Sequence, residues 1–213
     1  MHCLSTNMIE NISRRKVLSA VSLSATAGLA GCFSEPDIDY REDVDTPVVG
    51  QEDAPVTITY YFNLTCPSCA RFDSTVQPNI DAEYISEGIV KQEYVSLTSS
   101  TNRDSSDPLH SGAYYIYEEV GPESFIEFKS EVYSTRATAR EAISIGADVG
   151  ANQGELEQAI IQNVYKPVIE SDIEEAESAG VSATPTVAVN GRLLSSPSWE
   201  AIQNAVEAEL DEE

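Results

Sequence analysis

The sequence predicts an α/β domain built in the order β-α-β, helical insertion, β-β-α. Three observations give that order: two β-branched, aromatic runs separated by a helical stripe, a long block of helical pattern after them, and a hairpin signal near the C-terminus. At 213 residues the chain accommodates one good-sized domain plus a targeting segment, and is too short for two comfortable domains.

The folded part is expected to begin near Val48. Residues 56–62, Val-Thr-Ile-Thr-Tyr-Tyr-Phe, are β-branched and aromatic and read as a largely buried strand. Cys66-Pro67-Ser68-Cys69 follows. Phe72, Val76 and Ile80 then recur at spacing four, a helical apolar stripe with a kink expected at Pro78 and a close at Gly88. Residues 89–95 read as a second strand, and strand–helix–strand of this length is a right-handed βαβ unit. Residues 97–107 read as polar loop and residues 108–179 as a helical block punctuated by Gly121-Pro122, Gly150 and Pro167. Gly180 has the position of a glycine just past a helix end. Thr186 to Val189 reads as a strand, Asn190-Gly191 as a two-residue hairpin turn, and Ser198 as the cap of a final helix with Trp199, Ile202, Ala205 and Val206 inward.

Residues 1–32 read as an address. Arg14, Arg15 and Lys16 precede a mildly apolar Ser19 to Leu29 stretch that ends at Leu29-Ala30-Gly31-Cys32. That stretch is shorter than the roughly 20 residues that span a bilayer, so a signal peptide is the better reading. The paired arginines resemble the twin-arginine export class, and the tetrapeptide resembles a lipobox, which implies lipid on Cys32 and a membrane anchor. Met8 is an alternative start that would leave an ordinary short basic region. Residues 33–47 are acidic, hold two prolines and read as a flexible tether.

The charge excludes one class of partner. The chain has 36 acidic and 12 basic residues, a formal net of −24. One acid (Glu10) and three bases (Arg14, Arg15, Lys16) lie in residues 1–32, leaving 35 and 9 beyond. Nucleic acid is excluded as a partner, since phosphate binding needs clustered Lys and Arg. Acids scattered through every segment, with four Lys in all, resemble the proteome of a halophilic archaeon, where salt screens the self-repulsion.

A Cys-x-x-Cys pair serves as a redox dithiol, half a zinc site or a structural disulfide. Zinc needs four ligands, and beyond Cys66 and Cys69 the mature chain offers only Cys32 and His110, so no metal is expected. A disulfide closing so small a loop contributes little stability. Redox chemistry leads. Cys66 stands where a strand turns into a helix, with Pro67 in the first turn, so its sulfur faces the positive helix end and unpaired N–H groups that favour the thiolate. Cys69 lies about one turn deeper, more shielded, and placed to resolve a mixed disulfide on Cys66.

Three motifs then stand in order: Gly50-x-x-x-Ala54-Pro55-Val56-Thr57-Ile58, Cys66-Pro67-x-Cys69-x-x-Phe72, and Gly180-Val181-x-Ala183-Thr184-Pro185-Thr186 with Asn190-Gly191. From about residue 48 to the C-terminus the chain resembles DsbA-like thioredoxin-fold proteins, and the helical block is similar to that family's insertion. The resemblance implies a thioredoxin-like fold and a thiol–disulfide oxidoreductase without cofactor, acting on exported proteins and recharged by a membrane redox partner. It implies a cis Thr184–Pro185 peptide beside the cysteines, with Pro185 covering the sulfurs and the Thr184 backbone pairing with an extended substrate. The chain departs from the pattern at Tyr60, where the family usually has a buried acid that assists the inner cysteine. It departs also at Asn63, where an acid is common, and at Ser68, which replaces the histidine of the most oxidising relatives.

The remaining candidates take plainer readings. His110 is expected at the surface or as a helix cap, and Tyr114, Tyr115 and Tyr117 as helical packing. Asn63-Leu64-Thr65 matches a glycosylation acceptor, but a glycan there would obstruct the site. A reductive carrier dedicated to one maturation partner and a non-catalytic binding lipoprotein are the alternative functions. Intact Cys66, Cys69 and Pro185 oppose the latter, and reduction potential separates oxidant from reductant.

Overall fold

A computed structural model describes residues 38–98 and 103–211. The export and lipidation signals of residues 1–32, and residues 33–37 of the tether, lie outside the described residues. A five-stranded sheet has the order β1-β3-β2-β4-β5, with β1 Val48–Val49, β2 Val56–Phe62, β3 Val90–Ser96, β4 Thr186–Val189 and β5 Arg192–Leu193. Strands β2 and β3 run parallel, joined by the crossover that carries α1 (Pro67–Thr75), and every other pairing is antiparallel. Central strand β2 is apolar along nearly its whole length because both of its faces are covered; Val56, Ile58, Tyr60, Tyr61 and Phe62 are all buried.

The crossover differs in detail from the expected single kinked helix. The break falls at Val76; α2 (Gln77–Ile80) then carries Pro78 in its first turn and continues into a π-helical turn, Asp81–Ile85. Proline has no N–H to continue the helix and disfavours helical backbone in the residue before it. The break therefore precedes the proline.

The insertion is five helices: α3 (Arg103–Glu119), α4 (Pro122–Thr135), α5 (Ala139–Asp148), α6 (Gln153–Gln162) and α7 (Lys166–Ser178). It starts ahead of residue 108, with Pro108 inside α3. Two of its breaks fall at Arg136 and Asn163, left-handed residues that stop α4 and α6 without a glycine. Helix α5 opens on a capping box between Thr138 and Glu141. Gly146 lets α5 approach α6, since a Cβ there would meet the Leu156 side chain at 2.0 Å.

The C-terminal signals are local and strong. Asn190 (φ 44°) and Gly191 (φ 78°) make the hairpin turn, and the Ser198 hydroxyl accepts from the Ala201 N–H at 3.3 Å to start α8 (Trp199–Asp211). Ile202, Ala205 and Val206 are buried, with Trp199 half-buried against Tyr84.

The tether is shorter than expected. Val44 and Pro47 are buried, the Arg41 N–H donates to the Val164 carbonyl at 3.0 Å, and the Arg41 guanidinium pairs with Glu118. Val48 and Val49 then pair with β3. A two-residue edge strand and two isolated apolar side chains carry no periodic signal, so these contacts come from tertiary packing.

Candidate active site

Strand β2 runs straight into the site. Asn63 to Thr65 form the turn after Phe62, and Cys66 is the residue that precedes α1, with Pro67 at its first position. The turn is held on several sides. Asn63 is buried; its side-chain oxygen accepts from the N–H and hydroxyl of Thr65, both at 2.8 Å, and its amide donates to the Leu97 carbonyl at 3.2 Å. That side chain is thus committed to holding the turn. The Tyr133 hydroxyl, from α4, donates to the Asn63 carbonyl at 3.3 Å.

His110 corrects an expectation. It is fully buried, not on the surface, and its Nε2 accepts the Leu64 N–H at 3.1 Å. Nδ1 therefore carries the proton and donates to Ser96 Oγ at 2.8 Å. Burial pushes the imidazole down to about 3, so it is neutral at physiological pH. Ser96 continues the chain: its N–H donates to Asp172 at 2.9 Å, and Asp172 also accepts from the Tyr114 hydroxyl. The histidine thus ties the turn two residues before Cys66 to β3 and the insertion. One histidine after a polar loop carries no sequence signal for that role.

The two thiols are unbonded and differ in environment. Cys66 is half-buried; its Sγ donates to the Thr184 carbonyl at 3.5 Å. Desolvation pushes its thiol up, but hydrogen bonds from the Thr184 side chain, from the Cys69 backbone and thiol, and from the Ser68 N–H outweigh it, and the net shift is downward. Cys69 is fully buried, one turn on, and desolvation pushes it up to about 11. Phe72 lies a turn beyond Cys69 and stacks on Tyr60 at 4.5 Å. Pro67 and Ser68 are exposed.

The Thr184–Pro185 peptide is cis and both residues are half-buried; the Thr184 carbonyl meets Cys66, and Pro185 lines a groove with Ser68 and Phe72. Two grooves flank the Cys66 edge. One, about 190 Å³, is lined by Leu64, Cys66, Pro67, Ala70, Tyr133 and Arg136. The other, about 330 Å³, lies beside Ser68, Arg71, Phe72, Val76, Pro185 and Pro197. The structure thus brings together Cys66, Pro67, Ser68, Cys69, Thr184 and Pro185; Arg14, Arg15 and Cys32 lie outside the described residues.

The family model described as thioredoxin matches residues 42–208. The chain belongs to that thioredoxin family. Among curated proteins, this thioredoxin-family chain is 27% identical over 173 residues to disulfide bond formation protein D of Bacillus subtilis, covering 77% of each chain. Among solved structures, it superposes on oxidised BdbD of Bacillus subtilis with a TM-score of 0.70 and 23% identity, covering 78% of this chain and 93% of that one. DsbA of Chlamydia trachomatis gives a TM-score of 0.68 at 19% identity, over 79% and 93%. These superpositions establish a thioredoxin-like fold with a helical insertion.

Proposed function

We propose that this thiol–disulfide oxidoreductase exchanges disulfides with exported proteins, Cys66 meeting the partner and Cys69 resolving. One observation carries the reading: two thiols one turn apart, the outer one with its pKa lowered and the inner one buried and raised to about 11. In the reductive direction the Cys66 thiolate attacks a partner disulfide and one partner sulfur leaves as thiolate. Cys69 then gives up its proton, attacks the Cys66 sulfur and releases the second partner sulfur, leaving a Cys66–Cys69 disulfide. In reverse, the same steps pass that disulfide to a dithiol. The names of the curated Bacillus relatives, disulfide bond formation proteins, support the oxidising direction. A membrane redox partner that accepts two electrons then restores the disulfide. The two grooves and the Thr184 backbone would seat an extended partner segment across Cys66.

The N-terminal sequence supports export by the twin-arginine route and lipidation at Cys32, which puts the domain on the outer face of the membrane. The acidic surplus supports a high-salt habitat.

Incubating the Cys69→Ser protein with exported proteins should accumulate mixed disulfides that reductant releases, and Cys66→Ser should accumulate none. Adducts of equal yield in both variants, or activity retained by Cys66→Ser, would reverse or end the assignment.

A further inference from the structure

Near the inner cysteine lies a buried charge the exchange steps above do not use. Lys129 of α4 is fully buried, one of four lysines in the chain, and forms an ion pair with Asp73 of α1. Asp73 follows Cys69 by four residues on α1, so the two share one face of that helix, a turn apart. The ammonium is thereby held against the α1 face that carries Cys69. It also stands over two aromatic faces, 5.7 Å from the Tyr94 ring centre and 5.5 Å from that of Tyr133, an arrangement that favours a cation.

The titratable groups set against Lys129 are Asp73 and Cys69 from α1, Tyr94 from β3 and Tyr133 from its own helix. Of these, only Asp73 is a carboxylate, and Tyr60 occupies the strand position nearest the inner thiol without supplying charge. Its hydroxyl is buried next to the Cys69 thiol, whose pKa it lowers by hydrogen bonding. Desolvation, then any charge on Tyr133 and Cys69, pushes that hydroxyl well above the ordinary tyrosine range, so it stays neutral.

We propose that Lys129 is a positioning residue for thiol exchange: it holds a buried positive charge facing Cys69 and stabilises the thiolate that resolves the mixed disulfide. Asp73 orients the ammonium and carries its countercharge while Cys69 is protonated. The coupling has the required sign. Burial pushes the Lys129 ammonium down to about 7, and negative charge on Cys69 pushes it back up, so thiolate and ammonium favour one another. When Cys69 ionises its proton passes to solvent base. When it then bonds to Cys66 the charge leaves with the departing partner sulfur, and Lys129 returns to its pairing with Asp73.

This rests on Cys66 and Cys69 acting as assigned, and the test separates the two. A mixed disulfide is formed on Cys66 with a small thiol such as glutathione, and its resolution by Cys69 is followed against pH in wild type, Lys129→Met, Lys129→Arg and the double variant Lys129→Met/Asp73→Asn. Loss of a stabilising opposite charge raises a thiol's pKa, and one unit is tenfold in thiolate, so Lys129→Met should resolve about tenfold more slowly at pH 7, with its pH profile displaced upward. Lys129→Arg should recover most of the rate. The double variant removes the stranded carboxylate and should keep the slow profile at restored stability, which separates lost charge from lost fold. The Cys66 alkylation profile should stay in place throughout. A resolution profile that Lys129→Met and the double variant leave unmoved would overturn the role of Lys129 while Cys66 and Cys69 kept theirs. Failure to form the mixed disulfide on Cys66 at all would overturn the exchange reading itself.

Discussion

Replacing His110 with leucine tests how the turn before Cys66 is held. The imidazole accepts the Leu64 N–H at 3.1 Å and donates to Ser96 at 2.8 Å, both within the core. Leucine fills much of the space against Phe62, whose ring lies 4.9 Å away, but satisfies neither group. An unsatisfied buried N–H costs about 1–3 kcal/mol and the second lost bond about 1 more, so a loss of about 2–4 kcal/mol is expected. For a domain of this size that corresponds to a fall in Tm of about 5–15 °C. The pH dependence gives a sharper signature. The folded imidazole titrates near 3 and the unfolded one at 6.5, so the unfolded chain binds the extra proton between those values. The contribution is therefore fully present above 6.5 and is lost as pH falls toward 3, by about 2 kcal/mol at pH 5. Asp172 acts oppositely: burial raises its carboxyl to about 7, so it opposes folding as pH rises through that range. The difference between wild type and His110→Leu isolates the histidine. Denaturant melts of both proteins from pH 8 to pH 4 should converge as pH falls. A constant gap, or no gap at pH 8, would refute the buried neutral histidine.

Two further outcomes concern the whole chain. Thermal stability should climb as sodium chloride rises from low to molar concentration, because repulsion among the surplus acids is screened; a flat melting temperature would contradict that. Cys32→Ser should leave the precursor uncleaved or release the protein from the membrane fraction, and a variant that fractionates and matures like wild type would defeat the lipid anchor.

The parts of the fold legible in the sequence are those with local causes. Strand Val56–Phe62 follows from its unbroken apolar run, the helix after Cys66 from Pro67, the hairpin from Asn190-Gly191 and the last helix from Ser198. The parts that were not legible depend on contacts distant in sequence. The Leu64–His110–Ser96 chain joins residues separated by 46 and 14 positions. Arg41 reaches Glu118 across 77 positions, which no tether composition announces. Lys129 left a trace: Phe125, Phe128, Val132 and Tyr133 mark the buried face of α4, and a lysine stands on that face. A charge on an inward stripe needs a partner, but only the fold identifies Asp73 beside Cys69 as that partner.

Differential alkylation tests the central claim most directly. With the reduced protein exposed to limiting iodoacetamide across pH and the modified peptides quantified, Cys66 should react first, with an apparent pKa below the ~8.5 of a free thiol. Cys69 should stay protected until pH approaches its value of about 11. Modification of Cys69 ahead of Cys66, or equal titration of both thiols, would contradict an exposed attacking sulfur backed by a buried resolving one.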